Sequence, residues 1–200
     1  MHYGIYKNLR GGAWSCLIQS EIDSFPVDVL KITRKAGIRV VKNSLVNDLM
    51  PNEDAKSYFN GQAWIVIYND KNPVPVSRFA IAHELGHFFL GHDLTHSRYE
   101  CAQKFGSKPK AEEQADAFAM RLLAPACVIK ELDLYTAEEI AQYCGIPLDM
   151  AKTRANRMKI LYKRDMFFTD PLEAEVYESF RAYVNKVKRS KGKKSKSTKN

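Results

Sequence analysis

His83, Glu84, Leu85, Gly86 and His87 follow one another in the chain, and their order suits them to metal chemistry. Two histidines four apart project from one face of a helix, one turn apart, so their ring nitrogens can share one ion. The glutamate beside the first histidine then lies near water held at that ion. The spacing is the H-E-x-x-H arrangement of zinc hydrolases. The plainer alternative is a core helix with two hydrogen-bonded histidines. That alternative leaves the buried carboxylate without a reason, and an unpaired buried carboxylate is costly.

The flanking residues supply the helix. In Asn72-Pro73-Val74-Pro75 each proline biases its predecessor toward extended backbone, so the helix is expected to open after Pro75, with Ser77 as N-cap. Gly91 suits the left-handed position that ends a helix. Between them Phe79, Ala82, Leu85, Gly86, Phe89 and Leu90 recur at helical spacing, and Ile81 and Phe88 widen the apolar face. A largely buried helix carrying His83, Glu84 and His87 is therefore expected.

A catalytic zinc takes three protein ligands and leaves a position for water. His92 lies just beyond Gly91, but the metzincin spacing would need histidine where Asp93 stands and glycine where Leu90 stands. His96 has no spacing argument. The better candidate lies on a second helix, expected from Lys110 to the break at Pro125, with Ala115, Phe118, Ala119, Leu122 and Leu123 as its apolar face. On it Glu112 and Asp116 stand one turn apart. This pair resembles the E-x-x-x-D element of gluzincin peptidases. The resemblance implies Glu112 as the third zinc ligand and Asp116 as hydrogen-bond partner of a ligating histidine's other nitrogen. Glu113 is the rival, about 100° around the axis. It also reads as an ordinary first-turn acid favoured by the helix dipole, and Glu112 is preferred.

Taken together, the chain resembles the ImmA/IrrE family of metallopeptidases. The matching stretches are Phe25-Pro26-Val27-Asp28 leading to Ala36-Gly37-Ile38-Arg39-Val40, then Gly61 to Asn69, then Arg78 to His87. The block from Glu112 to Pro125 completes the signature. The resemblance spans about residues 25 to 160. Gln114 stands where many relatives carry a second glutamate, and Ala124 where many carry methionine; neither departure touches a presumed ligand. The resemblance implies a zinc-dependent endopeptidase of the bacterial cytoplasm that cleaves a helix-turn-helix transcriptional repressor. His83, His87 and Glu112 would hold one Zn²⁺ per chain. Glu84 would take a proton from water and return it to the leaving amine.

Composition bounds the alternatives. The 200 residues carry a net charge of +8. The eight basic residues between Lys186 and Asn200 account for that excess, and the remaining 23 balance the 23 acidic ones. Residues 186–200 are expected to form a disordered basic tail. The tail could touch nucleic acid through phosphates; a merely solvated tail is an equal reading. No early segment couples a charged start to an apolar run, so no signal peptide is expected. No apolar stretch approaches membrane-spanning length. Cys16, Cys101, Cys127 and Cys144 form no C-x-x-C pair and read as reduced thiols of a cytoplasmic protein.

The elements point to an α+β fold: a mainly helical, zincin-like domain with a small twisted three-stranded sheet packed on the motif helix. Helices are expected at 11–20, 27–36, 136–144, 148–161 and from Asp170 onward. Thr136-Ala137-Glu138-Glu139 is a capping box. Strands are expected at 38–42 and 63–68, with a third near 42–60, because two alone are marginal. Residues 93–110 read as a loop. Three parts follow: a peptidase core at 1–130, a helical extension at 131–185, and the tail. Ala63 to Asn69 is the candidate edge strand for a substrate bound in extended form; core sheet is its other role. Residues 138–157 look like a helix-turn-helix, with Lys152, Arg154, Arg157 and Lys159 on the second helix. A DNA-binding regulator with a structural metal is therefore one alternative. A metal-dependent module that binds a repressor without cutting it is another.

Overall fold

The computed structural model describes residues 3–92 and 110–197, with side chains described for 9–92 and 110–192. In chain order the elements are α1 (Tyr3–Gln19), α2 (Val29–Lys35), β1 (Arg39–Lys42), α3 (Asn43–Val46), β2 (Ala55–Phe59) and β3 (Trp64–Tyr68). Then come α4 (Val74–Leu90), α5 (Lys110–Leu123), α6 (Ala126–Glu131), α7 (Ala137–Cys144), α8 (Leu148–Lys163) and α9 (Pro171–Ser197). The fold is α+β, as expected. The stretch between residues 93 and 109, with His96 and Cys101, lies outside the described residues.

The third strand is β2, and it sets the strand order β1-β3-β2. β3 runs parallel to β1, with Val40 opposite Val66, and antiparallel to β2, with Ser57 also opposite Val66. The expectation that Ala63 to Asn69 forms an edge is thus corrected: β3 is paired on both sides. Its neighbours Val66 and Ile67 point to opposite faces, yet each is only 2 % exposed. Both faces are covered, which is the environment of a central strand. The edge antiparallel to β3 belongs to β2.

Helix α4 packs on β2 and β3, and every residue from Phe79 to His87 is buried. It opens four residues earlier than expected, at Val74, with Pro73 rather than Ser77 as N-cap and Pro75 in the first turn. Proline costs nothing there, because first-turn amides have no intrahelical acceptor. Ser77 instead donates its hydroxyl to the Asn69 carbonyl, 3.0 Å away. Gly91 ends the helix in the left-handed conformation.

Polar side chains cap the starts of two other helices. Asp28 accepts from the Lys31 amide at α2, and Thr136 with Glu139 forms the reciprocal capping box at α7. Arg78 donates to the carbonyls of Val27 and Gly145, tying the start of α4 to both neighbouring helices.

One hydrophobic cluster extends from Leu9 on α1 to Val184 on α9, taking in Ile140, Ala151 and Met158. The boundary expected near residue 130 does not coincide with a break in this core. Helix α9 also continues to Ser197, so residues 186–197, expected to be disordered, are helical. Lysine is a good helix former, and the segment is tied down. Lys188 pairs with Glu131 at 3.4 Å, and Lys191 donates to the Leu132 carbonyl and stands over the Tyr143 ring.

Candidate metal centre

Helices α4 and α5 meet where α4 has no side chain. A Cβ placed on Gly86 would lie 2.9 Å from the Ala115 Cα and 3.0 Å from its carbonyl oxygen. The glycine lets the two backbones approach closely, and the approach presents Glu112 to the two motif histidines. His83 Nε2 and His87 Nε2 are 3.0 Å apart. Glu112 Oε2 lies 3.2 Å from the first and Oε1 3.1 Å from the second. Among the described residues, these three form the group of His, Cys, Asp and Glu side chains able to hold a metal ion.

The geometry fits such an ion. Donors about 2.0–2.1 Å from a tetrahedral centre stand roughly 3.3 Å from one another, close to the spacings found. The outer nitrogens strengthen the case. His83 Nδ1 is 2.7 Å from Asp116 Oδ1, and His87 Nδ1 is 3.1 Å from His92 Nδ1. With the ring protons held on those outer nitrogens, both Nε2 atoms turn bare lone pairs toward a carboxylate. Buried acceptors facing one another are unfavourable without a cation between them. The set of two imidazoles and one carboxylate suits zinc.

His92 reaches this position through the turn at Gly91, where its amide bonds the His87 carbonyl. Its Nε2 is 2.9 Å from Gln114 Oε1. Burial pushes the His92 imidazole below the ordinary histidine range, and the Gln114 oxygen works against that. Glu84 is 2 % exposed, and Ser57 on β2 donates its hydroxyl to Glu84 Oε2 at 2.6 Å. A cleft of about 300 Å³ opens beside the centre and is lined by His83, Glu112 and Asp116.

The structure therefore brings His83, Glu84, His87, Glu112 and Asp116 together. Glu113 is exposed and stands apart from the cluster. No spacing rule in the sequence points to Ser57, to the Gln114 contact or to the outer role of His92. Ser57 belongs to no motif. The glycine before His92 was a signal that the residue folds back on the last helical turn. In the helix-turn-helix-like segment Arg154 is buried at 6 % exposure, so it does not join Lys152 and Lys159 on the surface. Cys16, Cys127 and Cys144 are free and buried, and no described helix is long and apolar enough to cross a membrane.

Comparison with known proteins agrees with this geometry. Residues 33–156 match the sequence model of the IrrE N-terminal-like domain, a peptidase family. The chain is 31 % identical over 117 residues to metallopeptidase ImmA of Bacillus subtilis (strain 168), covering 55 % of this chain and 64 % of that protein. The match thus spans slightly less than two thirds of that relative's length. The matched region contains the whole sheet and both helices that carry His83, His87 and Glu112, and on that basis the chain belongs to the ImmA/IrrE family of metallopeptidases.

Proposed function

We propose that this protein is a zinc-dependent endopeptidase of the cytoplasm that hydrolyses a peptide bond in a helix-turn-helix transcriptional repressor. The observation that carries the peptidase reading is the convergence of His83, His87 and Glu112, with buried Glu84 beside them, at the inner end of a cleft. A purely structural site would be closed by protein ligands. The repressor as substrate rests on the resemblance of the motif blocks to ImmA/IrrE proteins. The buried free thiols agree with a reducing compartment.

His83, His87 and Glu112 are the ligands in this reading. Asp116 orients His83, and the His92–Gln114 pair orients His87. A divalent ion held there supplies Lewis acidity, which polarises a carbonyl and makes a nearby water easier to deprotonate. Glu84 accepts the proton of that water and delivers it to the leaving amine, a role worth about 10²–10⁴ in rate. Ser57 keeps the Glu84 carboxylate aimed. The edge of β2, which pairs with no other strand among the described residues, is the natural place for an extended substrate, since it brings the chain past Ser57 and Glu84.

The test is incubation of the zinc-loaded protein with the repressor encoded nearest to it, beside Glu84→Gln. Fragments with wild type and none with the variant are expected. A stable complex without fragments would support a sequestering module instead. Salt-sensitive DNA binding without cleavage would support a regulator.

A further inference from the structure

We propose that the cleft beside His83 receives one substrate side chain flanking the cleaved bond and that it selects a long cationic residue, arginine or lysine. The inference rests on the peptidase reading and adds what the site prefers.

The cleft has a volume of about 300 Å³ and its inner end is formed by His83 and Glu112, so it is continuous with the metal centre. Val76 and Phe79, from the first turns of α4, and Pro147 and Met150, at the start of α8, supply apolar lining. Asp54, just before β2, and Asp149, in the first turn of α8, add two carboxylates, and Ala80 and Asp116 complete the lining. A chain laid along β2 passes Ser57, which touches Glu84. Asp54 stands three residues away, about 10 Å along an extended strand. The cleft therefore serves a residue next to the cut rather than a remote one.

Apolar walls alone would accept any apolar side chain, so the carboxylates decide; Glu112 and Asp116 are engaged with the histidines, which leaves Asp54 and Asp149. Both aspartates are exposed, and neither is ion-paired among the described residues. No basic side chain stands among the described residues lining the cleft. The Asn72 side-chain amide donates to Asp54 Oδ1 at 2.7 Å, which holds that carboxylate in place. The start of α8 carries about half a positive charge and would by itself draw an anion. The full negative charge of Asp149 outweighs it. Arginine and lysine fit this division, since their apolar stems lie along apolar walls while the charged head stays at a wet rim. An acidic side chain would bring its charge against both aspartates.

The test uses the zinc-loaded full chain and a proteome-derived peptide library, with fragments identified by mass spectrometry. Arginine and lysine should be enriched at one position adjoining the cut. Matched peptides with arginine or glutamate at that position should then differ in kcat/KM by about two- to thirty-fold, the range for two exposed ion pairs. Higher salt should narrow the gap. In an Asp54→Lys/Asp149→Lys variant the arginine-to-glutamate ratio should invert, and each protein serves as its own control. Cleavage with no basic enrichment, or an unchanged ratio in the double variant, overturns the pocket assignment and leaves the peptidase reading standing. Absence of any cleavage takes both down.

Discussion

His87 and His92 face each other through their Nδ1 atoms at 3.1 Å, so one of these two nitrogens must carry a proton and the other must accept it. A His87 Nε2 that gives its lone pair to a cation leaves the ring proton on Nδ1. His92 must then accept at Nδ1 and donate from Nε2, where Gln114 Oε1 waits at 2.9 Å. His83 has the charged partner Asp116 instead, so the two motif rings are held by different chemistry. His92→Ala should weaken zinc binding about 10- to 100-fold, the usual cost of losing such a partner. Gln114→Ala should act in the same direction but less. Competition against a chromophoric chelator measures both, and unchanged affinity in His92→Ala would remove this role.

Ser57 acts on the other functional side chain. Its hydroxyl reaches Glu84 from a different element, and hydrogen bonds to charged groups are worth about 1.5–3 kcal/mol. Ser57→Ala should lower kcat roughly tenfold while metal content and KM hold, because Glu84 loses its aim but the ligands are untouched. Steady-state kinetics with parallel metal analysis checks this. A loss of metal instead would place Ser57 in the fold rather than in the reaction.

Gly86→Ala sets two effects against each other. Replacing a mid-helix glycine with alanine gains about 0.5–1 kcal/mol. The new Cβ would lie 2.9 Å from a backbone atom of Ala115, and overpacking of this kind costs about 1–3 kcal/mol. The clash should win, because backbone cannot swing aside as a side chain can. Thermal melting should show Tm lower by several degrees. Zinc affinity should fall with it, since the same crossing brings Glu112 to the histidines. A variant with raised Tm and intact zinc binding would show that the crossing has slack.

How much of this was legible depends on the range of the interactions. The motif helix, its Gly91 stop and the Thr136 capping box are written within one or two helical turns, and they appear as expected. The strand order was not legible. Ala63 to Asn69 reads the same whether one neighbour or two pairs with it, and only the return of β2 along β3 makes it central. Ser57 was hidden for the same reason, since 27 residues separate it from Glu84. The early start of α4 is not legible from its prolines, because proline breaks a helix interior yet is harmless in the first turn. In the lysine-rich end of α9, composition suggested disorder, while contacts with Glu131 and Leu132 favour helix.

Alkali offers a test of the core. Burial pushes the thiols of Cys16, Cys127 and Cys144 up to about 12, and the Tyr162 hydroxyl also rises to about 12. Below pH 9 the thiols are protonated in both the folded and unfolded chain, so the stability they allow is fully present. Between pH 9 and about 12 the unfolded chain releases thiol protons that the folded chain retains, and stability falls as pH rises. Denaturant midpoints at pH 8, 9, 10 and 11 should decline progressively. A flat series would contradict the burial of these groups.

The central claim is a metal held by His83, His87 and Glu112, and its most direct test is metal content by mass spectrometry. Freshly purified wild-type protein should be measured beside folded His83→Ala and Glu112→Ala. The account predicts about one zinc per chain in wild type and loss in both variants, consistent with three protein ligands at one catalytic centre. Wild-type protein that carries no metal and takes up none from added zinc, or variants that keep it, would contradict the account.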